Sequence, residues 1–569
     1  MPQNFLQNHQ LYLTPLSPLH LGTGEDYEPT NYVISDGALY AFDPSQAALT
    51  PQQRNELLQT AQRGDTLAIQ NYFKKHGSTF ADCAYKIVGV SSALASEYEK
   101  LGKVANREQS GQKVGNSFII ERTAVNPVNH QPYIPGSALK GCLRTAWLDQ
   151  LAEKQPYSKG RPRQNDAAHY ETELLGSFAS DGLRLLKTAD FTANGTIATQ
   201  IQYAVNKKKH IVYKRDIDGV FVLDGNGNKI IVQAKGVTGR RETIQHGQYR
   251  AFGGSCTLQK LLLAHNPPIK QPNASLPKTP LQNLQQIAQN ANHYHLKRFE
   301  AENRLLDERG LIHPEWLQHT RNLLAALKPQ LDDGEIMLVR LGKHGGAESK
   351  TLSGLAQIKI NEGKDPETGR QRSSFQQHTQ TVWLAAQAAT ETHGLLPFGW
   401  ALVEIDPQGG NAALQNWCQQ NSSHLNDIQA LQAKLHERKQ AAAAQKAAIR
   451  AEAEAAERAK IEQAAAEQAA AAAHAAELAA MKPADRLIAD WTQKLRDFPF
   501  DPRNDTASNV FFNQLKTAWE QATAEMDDNS KQQIATAFSF HEQENLKRGF
   551  FINKREKEIK AMLKQLRGE

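Results

Sequence analysis

An alanine-rich run in the last third of the chain constrains the fold more than any other feature of the sequence. Residues 441–480 contain 23 alanines in 40 positions, with charged residues between them. Alanine is the strongest helix former and proline cannot continue a helix, so we expect a helix from about Ser422 or Ser423, whose hydroxyls can cap it, to Pro483. At ~1.5 Å per residue, this helix is about 85 Å long.

The predicted helix has an apolar stripe only where it begins. Leu425, Ile428, Leu431 and Leu435 lie at helical spacing, and the following turns are polar nearly all round. Such a helix usually bridges solvent between packed parts, whereas a coiled coil would need larger apolar residues along its length. We therefore expect the stripe to pack against the preceding part of the chain and the remainder to act as a semi-rigid arm.

The change in composition divides the 569 residues into four expected parts. Residues 1–265 are expected to form an N-terminal domain with a helical insertion, residues 266–408 a second domain, residues 409–483 the arm and residues 484–569 a small helical domain. The first two read as mixed α+β, because alternating strand-like runs are interleaved with helical periodicity. The last part has aromatic and aliphatic residues enough for a core of its own: Trp491, Leu495, Phe498, Phe511, Phe512, Leu515, Trp519, Ile534, Phe538, Phe550, Phe551, Ile559, Leu563 and Leu566.

Positive charge is concentrated in two regions. The chain has 66 Lys and Arg against 60 Asp and Glu, a net charge of +6. The segment from Tyr203 to Arg250 has ten basic and four acidic residues, and the segment from Asn545 to Arg567 has eight basic and two acidic. Such clusters favour a polyanion partner, which in the cytoplasm is most often nucleic acid, although solvated surface explains them equally well.

Several classes of protein are not expected. No run approaches the ~20 apolar residues of a membrane-spanning helix, and the N-terminus lacks the basic start and apolar stretch of a secretory signal. The four cysteines are far apart and form no CxxC pair, which argues against a disulfide scaffold or a zinc site: Cys83, Cys142, Cys256 and Cys418. We therefore expect a cytoplasmic protein without a membrane partner.

The first of four candidate motifs follows the first predicted strand. It reads His20-Leu21-Gly22-Thr23-Gly24-Glu25-Asp26. Gly22 and Gly24 allow the backbone to approach a ligand closely, and His20 could donate to a phosphate or act as a general base. A tight loop in which the histidine only satisfies a hydrogen bond is the alternative.

The second motif is Tyr133-Ile134-Pro135-Gly136-Ser137 leading into a predicted helix over residues 138–151. Ser137 is expected to cap this helix, and the amides and positive dipole at the helix start, beside Gly136, favour phosphate. Lys140 and Arg144 are four residues apart on one face, where both could bind phosphate. Alternatively, they are solvated charges on a capped amphipathic helix.

The third motif is Gly342-Lys343-His344-Gly345-Gly346-Ala347-Glu348-Ser349-Lys350-Thr351, after a predicted strand. It lacks the GxxxxGK[ST] spacing of a nucleotide-binding loop, because Ser349 rather than glycine precedes Lys350. A basic loop containing Lys343, Gly345, Gly346 and Lys350 still suits a nucleic-acid backbone. A flexible surface loop explains it equally well.

The fourth motif flanks a predicted hairpin over residues 211–232. Lys207 and Lys208 precede the hairpin, and Arg240 and Arg241 follow it. A basic ribbon can lie along a phosphate chain, and nearby aromatic residues could stack bases, although each aromatic is individually more typical of a core. The sequence contains no Ser-His-Asp order, HExxH or paired-carboxylate signature, so we expect no catalytic residues, no metal and no cofactor.

The first three motifs, in this order, resemble the RAMP superfamily of CRISPR RNA-binding proteins. The distal G-x-x-G-G-x-x-S-K-T and the following Leu396-Pro397-Phe398-Gly399-Trp400 resemble the terminal subunit, conventionally numbered five, of type III-A (Csm) effector complexes. The resemblance covers residues 9–408, and the alanine-rich helix and last unit lie outside it. It implies an α+β fold of tandem ferredoxin-like (RRM-like) domains with glycine-rich loops.

The resemblance also implies a function, which is that of a non-catalytic subunit at the 3′ end of the guide (CRISPR) RNA that supports guide maturation in antiviral defence. Its partners would be guide RNA, backbone RAMP subunits and small helical subunits, with target RNA and host nucleases as further partners. The implied RNA-contacting positions are Gly22, Gly24, Gly136, Ser137, Lys140, Arg144, Gly345, Gly346 and Lys350. The charge and motif patterns add His20, Lys207, Lys208, Arg240, Arg241 and Lys343 to these.

Three alternatives remain open at this stage. The chain could be a metal-dependent RNase of the backbone RAMP type, in which Asp26 lies near the place of the catalytic aspartate. It could be a guide-processing endonuclease with His20 as its general base. It could also have a structural role, with the long helix as a spacer that docks the last unit onto a neighbour.

Overall fold

The computed structural model describes residues 6–63, 66–100, 108–109, 112–113, 118–155, 166–216, 218–234, 236–260, 277–364, 368–498, 505–539 and 553–569. The chain divides into two compact units, residues 1–441 and residues 442–569. The first unit is built from two large sheets with helices packed on them, and the second contains only helices among its described residues.

The strands occur in the following order: β1 Leu6–Pro15, β2 Gly22–Asp26, β3 Tyr32–Ser35, β4 Ala38–Ala41, β5 Lys86–Val90, β6 Glu108–Gln109, β7 Gln112–Lys113, β8 Ile120–Thr123, β9 Leu186–Thr188, β10 Thr192–Ala193, β11 Thr199–Lys208, β12 Gly239–Ile244, β13 Phe252–Gln259, β14 Ile336–Arg340, β15 Ile358–Lys364, β16 Gln371–Gln376, β17 Thr381–Ala386, β18 Leu396–Pro397 and β19 Trp400–Ile405. The strands β6 with β7, and β15 with β16, form separate two-stranded sheets.

The helices occur in the following order: α1 Pro51–Gln62, α2 Thr66–Lys75, α3 Gly77–Asp82, α4 Ser92–Glu99, α5 Gly136–Lys154, α6 Asp166–Leu175, α7 Leu284–Glu308, α8 Pro314–Ala326, α9 Lys328–Asp332, α10 Ala412–Gln420, α11 Asn426–Ala480, α12 Pro483–Asp497, α13 Asp505–Glu525, α14 Asp528–Ala537 and α15 Asn553–Arg567. Short 3₁₀ turns lie at Glu348–Lys350 and Ser423–Leu425.

Four strands of the first sheet, β10-β13-β1-β19, have the order of a ferredoxin-like fold, and β14 extends the sheet beyond β19. Its order is β10-β13-β1-β19-β14, with β9 also paired to β13, and all its pairings are antiparallel. The helices α5 and α7 follow its first and third segments, as the crossovers of a βαββαβ unit do. Buried residues from this sheet and from α5 and α7, among them Leu13, Leu143 and Tyr294, form one continuous core.

The second sheet has the order β2-β8-β12-β11-β5-β4-β3, with β17 paired to β11 and β18 to β17. Its core includes Trp316, Trp400 and Trp417. Each of the two large sheets contains strands from both sides of residue 265. The expected domain boundary between residues 265 and 266 stays a prediction. The predicted α+β fold, with its glycine-rich loops, long helix and small helical C-terminal unit, is confirmed.

The alanine-rich helix is present within a few residues of its expected ends. The helix α11 runs from Asn426 to Ala480, 55 residues, after the turn Ser423–Leu425, and Pro483 begins α12. The expected serine cap is not formed at Ser422, because its side chain makes no capping hydrogen bond to the turn that precedes the helix. Ser423 is the first residue of that turn. Residues 451–477 are exposed, in agreement with a helix that is polar all round.

The apolar stripe of α11 packs on the first unit, as predicted. Leu425 and Ile428 are buried against Ala198, and Leu435 joins the core beneath α2 and α3. Polar contacts extend this seam, because the Gln432 amide donates to the Ile197 carbonyl at 3.0 Å and Lys439 Nζ to the Tyr85 carbonyl at 2.9 Å. The first turns of the arm are therefore fixed to the body.

The second unit has its own aromatic core. Twelve residues of the predicted core are described, and all of them lie in it, with Phe498 partly buried. Phe550 and Phe551 lie outside the described residues. The guanidinium of Arg555, in the basic last helix, is buried and donates to Asn509 Oδ1 at 3.0 Å, whereas Lys560 pairs with Glu556 at 2.6 Å. Not every cation of that helix is therefore available to a partner.

Among the described residues, none of the helices has the length and apolar character needed to cross a bilayer. The four cysteines are free, and three of them are buried.

Candidate nucleic-acid interface

Three glycine-bearing segments that are far apart in the sequence line one open cleft in the first unit. Its volume is about 890 Å³. The first segment contributes the loop and strand after His20, the second the start of α5, and the third the loop after β14. The lining residues are Leu21, Gly22, Thr23, Gly24, Asp26, Glu121, Ala124, Tyr133, Pro135, Ser137, Ala138, Gly342, Lys343 and Lys350.

The first wall is the strand β2, whose five residues are all exposed. It pairs antiparallel with β8, Gly22 opposite Thr123 and Asp26 opposite Glu121, with a register shift between them. Gly24 lies in this irregular stretch with φ +85°, a conformation that glycine adopts without strain. Gly22, Thr23 and Gly24 line the cleft, where a ligand can approach their backbone closely.

His20 does not face the cleft, because its side chain is completely buried. Its Nδ1 lies 2.8 Å from the Glu242 carbonyl oxygen, and burial lowers the pKa of the imidazole. The histidine is therefore a neutral group that fixes β12 to the loop. This placement gives it no access to an RNA strand in the cleft.

The backbone of His20 joins the first motif to the third. Its carbonyl oxygen accepts from the Lys343 amide at 2.9 Å. Gly342 makes this approach possible: its φ is +82°, and a Cβ at this position would lie 2.4 Å from the same carbonyl oxygen. Any other residue there would need a displacement of the loop.

The second wall is the start of α5. Pro135, not Ser137 as expected, is the N-cap residue; Ser137 lies inside the first turn, exposed and facing the cleft. Gly136 is buried and does not line the cleft; its amide donates to Asp190 Oδ1 at 2.8 Å, and a Cβ would lie 2.5 Å from the Thr188 carbonyl oxygen. Gly136 therefore sets the position of the helix start.

Lys140 and Arg144 lie outside the cleft lining and are bound within the domain. Lys140 Nζ donates to the Leu186 carbonyl at 2.8 Å, and the Arg144 guanidinium is paired with both Glu171 and Asp181. Both side chains are partly buried. This differs from the expected pair of solvated cations on one helix face, and it favours a structural role for the two residues.

The third wall contains the two cations of the cleft. Lys343 is half-exposed, and its Nζ lies 2.7 Å from Glu121 Oε2. Lys350 is exposed and has no ion-pair partner within the described part of the chain. Gly345 and Gly346 do not line the cleft: Ser349 Oγ donates to the Gly345 carbonyl at 2.8 Å, and Gly346 has φ +75°. These two glycines shape the loop that presents the lysines.

The basic residues beside the hairpin are not part of the cleft lining. Lys207 Nζ donates to the Glu391 carbonyl, the Arg240 guanidinium pairs with Glu97 and lies over the Phe118 ring, and Lys208 is half-buried. Arg241 lies behind the cleft, 2.9 Å from Glu121. The hairpin predicted over residues 211–232 turns at Asp224, whose carboxylate accepts from the Asn226 and Asn228 amides.

Glu121 is the functional candidate that the sequence did not reveal. Burial raises the pKa of its carboxyl, but the hydrogen bond from Lys343 and the charges of Arg241 and Lys343 outweigh burial and lower it. It therefore remains anionic and occupies Lys343 in the absence of a ligand. Nothing local marks it, because its partners Arg241, Lys343 and His20 come from β12, the loop after β14 and the first motif. The His20 Nε2 atom lies 3.5 Å from Glu121 Oε2.

The cleft thus contains two cations, Lys343 and Lys350, and two carboxylates, Asp26 and Glu121. Among the residues that the structure describes, no three histidines, cysteines or carboxylates are grouped so that they could hold a metal ion. The arrangement can bind a single anionic backbone through exposed amides and lysines. The carboxylates would weaken nonspecific binding by like-charge repulsion.

Comparisons with known proteins find similarity over the residues that form the first two walls of the cleft. Residues 12–234 match the sequence model of the RAMP superfamily. No curated protein matches the chain. A chain in a cryo-EM structure of a Csm-crRNA-target RNA ternary complex of a type III-A CRISPR-Cas system is 14% identical with TM-score 0.39, over 70% of this chain and 100% of that chain. Csm5 from T. onnurineus, in a crystal structure, is 13% identical with TM-score 0.35, over 69% of this chain and 99% of that chain.

The family match includes the first motif, the second motif and the strand before the hairpin, and it ends before the third motif. The predicted relationship is confirmed over that range. Residues 12–234 of this chain are therefore similar to the RAMP superfamily.

Proposed function

We propose that this chain is a guide-RNA-binding, non-catalytic subunit that caps the 3′ end of a type III-A CRISPR effector complex. One observation carries the proposal: the three motifs that together resemble the RAMP superfamily, the third of which also resembles the terminal subunit, line a single cleft. Glycines at the walls permit close approach of a backbone, and exposed lysines supply the counter-charge. The proposed cellular setting is the cytoplasm, in antiviral defence.

The cleft would hold the sugar-phosphate backbone rather than read bases. Lys350 offers a point charge, and Lys343 becomes available when a phosphate replaces the Glu121 carboxylate. The amides of residues 22–24 and the exposed Ser137 hydroxyl would add neutral donors. With two lysines contacting phosphate, the logarithm of the binding constant should fall with the logarithm of salt concentration with a slope of about −1.4 for single-stranded RNA.

The wider assembly follows from the same proposal. The backbone RAMP subunits would contact the first unit, and the arm would carry residues 484–569 toward a small helical subunit or RNA. Capping at the 3′ end would support guide maturation by leaving the protruding RNA to host nucleases. Target RNA would reach the complex by pairing with the guide RNA.

A direct titration tests the proposal. A fluorescent single-stranded RNA of ~20 nucleotides is titrated with the full chain at 50 and 200 mM salt, and the Lys343→Ala, Lys350→Ala double variant is expected to bind more weakly and with a shallower salt slope. The matched control is Arg54→Ala with Arg63→Ala, two exposed cations at α1 that lie outside the cleft. Equal losses in both double variants, or salt-independent binding, would contradict the proposal.

A metal-dependent RNase remains the second candidate because Asp26 lines the cleft opposite Glu121 in the strand pairing. Under the leading proposal, Asp26→Ala leaves target-RNA cleavage by the assembled complex unchanged in Mg²⁺. Loss of one cleavage product would assign catalysis to Asp26. The endonuclease alternative has no such support, since the His20 side chain is completely buried.

A further inference from the structure

A second cavity lies beside the cleft, on the other side of the turn Glu348–Lys350. Its volume is about 510 Å³, within the usual range of small-ligand sites. The C-terminal half of α7, the segment 348–354 and the residues around the start of β17 form its walls. None of the four sequence motifs predicts this cavity. Most of its charged residues belong to α7, which lies outside those motifs.

The cavity is strongly basic. Five lysines and arginines line it against two glutamates: Lys209, Lys297, Arg298, Arg304 and Arg340, with Glu302 and Glu348. The carboxylates are already neutralised, Glu348 by Lys209 at 2.6 Å and Glu302 by Arg340 at 2.7 Å. Of the other three cations, Lys297 pairs with Glu153 at 3.4 Å and Arg298 lies 3.8 Å from Asp149. Arg304 is therefore the lining cation without a carboxylate partner among the described residues, and its charge favours an anionic ligand.

Two arginines of α7 differ in a way that suits a binding site. Arg298 is held in place: its guanidinium lies over the Tyr294 ring at 3.3 Å and donates to the Glu348 carbonyl at 2.8 Å. Arg304, two turns further along the helix, is exposed and has no hydrogen-bond or ion-pair partner among the described residues. The first stiffens the wall, and the second is available to a ligand.

The same cavity has an apolar surface beneath its basic rim. Leu305, Leu352 and Val382 line it, and Val382 belongs to the core of the second sheet. A purely anionic ligand such as inorganic phosphate would leave these side chains unused. A planar apolar group that carries a phosphate, which is the chemistry of a nucleotide, would use both parts.

The turn Glu348–Lys350 is shared by the two sites. Lys350 lines the cleft, whereas its neighbours Ser349 and Thr351 line the cavity. An RNA strand that contacts Lys350 in the cleft is therefore next to the cavity wall formed by Ser349 and Thr351. This continuity favours a nucleotide that belongs to the bound strand over a separate small molecule.

We propose that the cavity binds one nucleotide of the single-stranded RNA that occupies the cleft, with its base against Leu305 and Leu352 and its phosphate at Arg304. This inference rests on the proposed function, since it uses the strand that the cleft would hold. It adds a base-sized site to an interface that otherwise contacts only backbone. RNA bound through both sites should therefore be held more tightly than RNA that reaches only the cleft.

Two variants test the cavity without touching the cleft. Ala301→Trp fills it from an exposed position of α7, and Arg304→Glu reverses its free cation. Each is expected to weaken binding of a ~20-nucleotide RNA by about 5- to 10-fold, and Arg304→Glu should also reduce the salt slope by about 0.7. Arg54→Glu, the same charge change at an exposed position of α1, is the control and should bind as the wild type does. Thermal melting of each variant shows whether its fold is intact.

The outcomes separate the two proposals. RNA affinity unchanged in both cavity variants, but lost in the Lys343→Ala, Lys350→Ala variant, overturns the cavity site and leaves the cleft standing. Unchanged affinity in all three overturns the proposed function as well. A parallel titration with AMP and UMP distinguishes the source: if a mononucleotide binds and both cavity variants abolish this without changing RNA affinity, the cavity takes a free nucleotide and its assignment to the RNA strand is wrong.

Discussion

Replacing Glu121 by glutamine should strengthen RNA binding, although it removes a well-formed ion pair. In the unliganded cleft the carboxylate holds Lys343 at 2.7 Å and Arg241 at 2.9 Å. A phosphate can use Lys343 only after this pair is broken. Since Glu121 and Lys343 are partly exposed, the pair contributes about 0–1 kcal/mol, and glutamine removes that cost together with the repulsion of the phosphate by the carboxylate.

The expected gain is about two- to fivefold in affinity at 50 mM salt, and it should shrink at 200 mM as screening shortens the range of the charge. Fluorescence anisotropy with a ~20-nucleotide RNA measures both values. The control is Glu25→Gln, which makes the same charge change on the neighbouring strand β2 but without a bond to Lys343. The Glu25 carboxylate is 70% exposed and lies 3.8 Å from Arg122. Its gain should be smaller.

Two results would refute this reasoning. Weaker RNA binding by Glu121→Gln would mean that the carboxylate orients Lys343 and Arg241 for the ligand instead of competing with it. A gain no larger than that of Glu25→Gln would mean that only the local net charge matters. Either result would show that a phosphate does not replace the Glu121 carboxylate at Lys343.

Four further predictions concern stability and assembly. Gly342→Ala should lower the free energy of unfolding by about 1–3 kcal/mol in urea titrations, because of its positive φ and the close His20 carbonyl, whereas Gly141→Ala, with open space around its Cα, should not. Lys140→Ala with Arg144→Ala should destabilise the first unit by about 1–3 kcal/mol, since Glu171 and Asp181 lose their partner; a wild-type melt with reduced RNA retention would restore the functional interpretation. Burial raises the pKa of Glu348, but Lys209 and Thr379 outweigh burial and lower this pKa from 4.5 to about 2. Glu348→Gln should therefore lower the free energy of unfolding by up to about 3 kcal/mol above pH 5, and the difference from the wild type should fade as the pH drops toward 2. A difference that does not change with pH would contradict this. Deleting residues 440–569 should preserve RNA binding but reduce complex assembly measured by size-exclusion chromatography; unchanged assembly would show that the arm has no role there.

Local features of the sequence predicted much of the fold. The alanine-rich helix was predictable because helix propensity and one proline decide it, and the hairpin Tyr32–Ala41 because a turn sequence separates two apolar runs. Alternation over residues 11–21 places the first strand too late in the chain, since β1 is Leu6–Pro15. Its polar first half is held by pairing with β13, a partner that periodicity within one segment cannot reveal.

The sequence indicated part of the cleft lining. Gly22, Gly24, Ser137, Lys343 and Lys350 line the cleft, whereas Gly136, Gly345 and Gly346 do not, and the contact of all these residues with RNA stays a prediction. The burial of His20, the internal pairing of Arg144 and the role of Glu121 depend on contacts between residues that are distant in the chain. A buried ion pair of Lys86 with Glu242, which supports the strands behind the cleft, was likewise invisible in the sequence.

Site-specific crosslinking tests the central claim most directly. A guide RNA with 4-thiouridine at single positions near its 3′ end is assembled with the full complex, irradiated, and the crosslinked peptides of this chain are identified by mass spectrometry. The account predicts crosslinks within residues 20–26, 133–138 and 342–351 from the same few nucleotides. Crosslinks confined to residues 484–569, or spread over the first unit without those three segments, would contradict it.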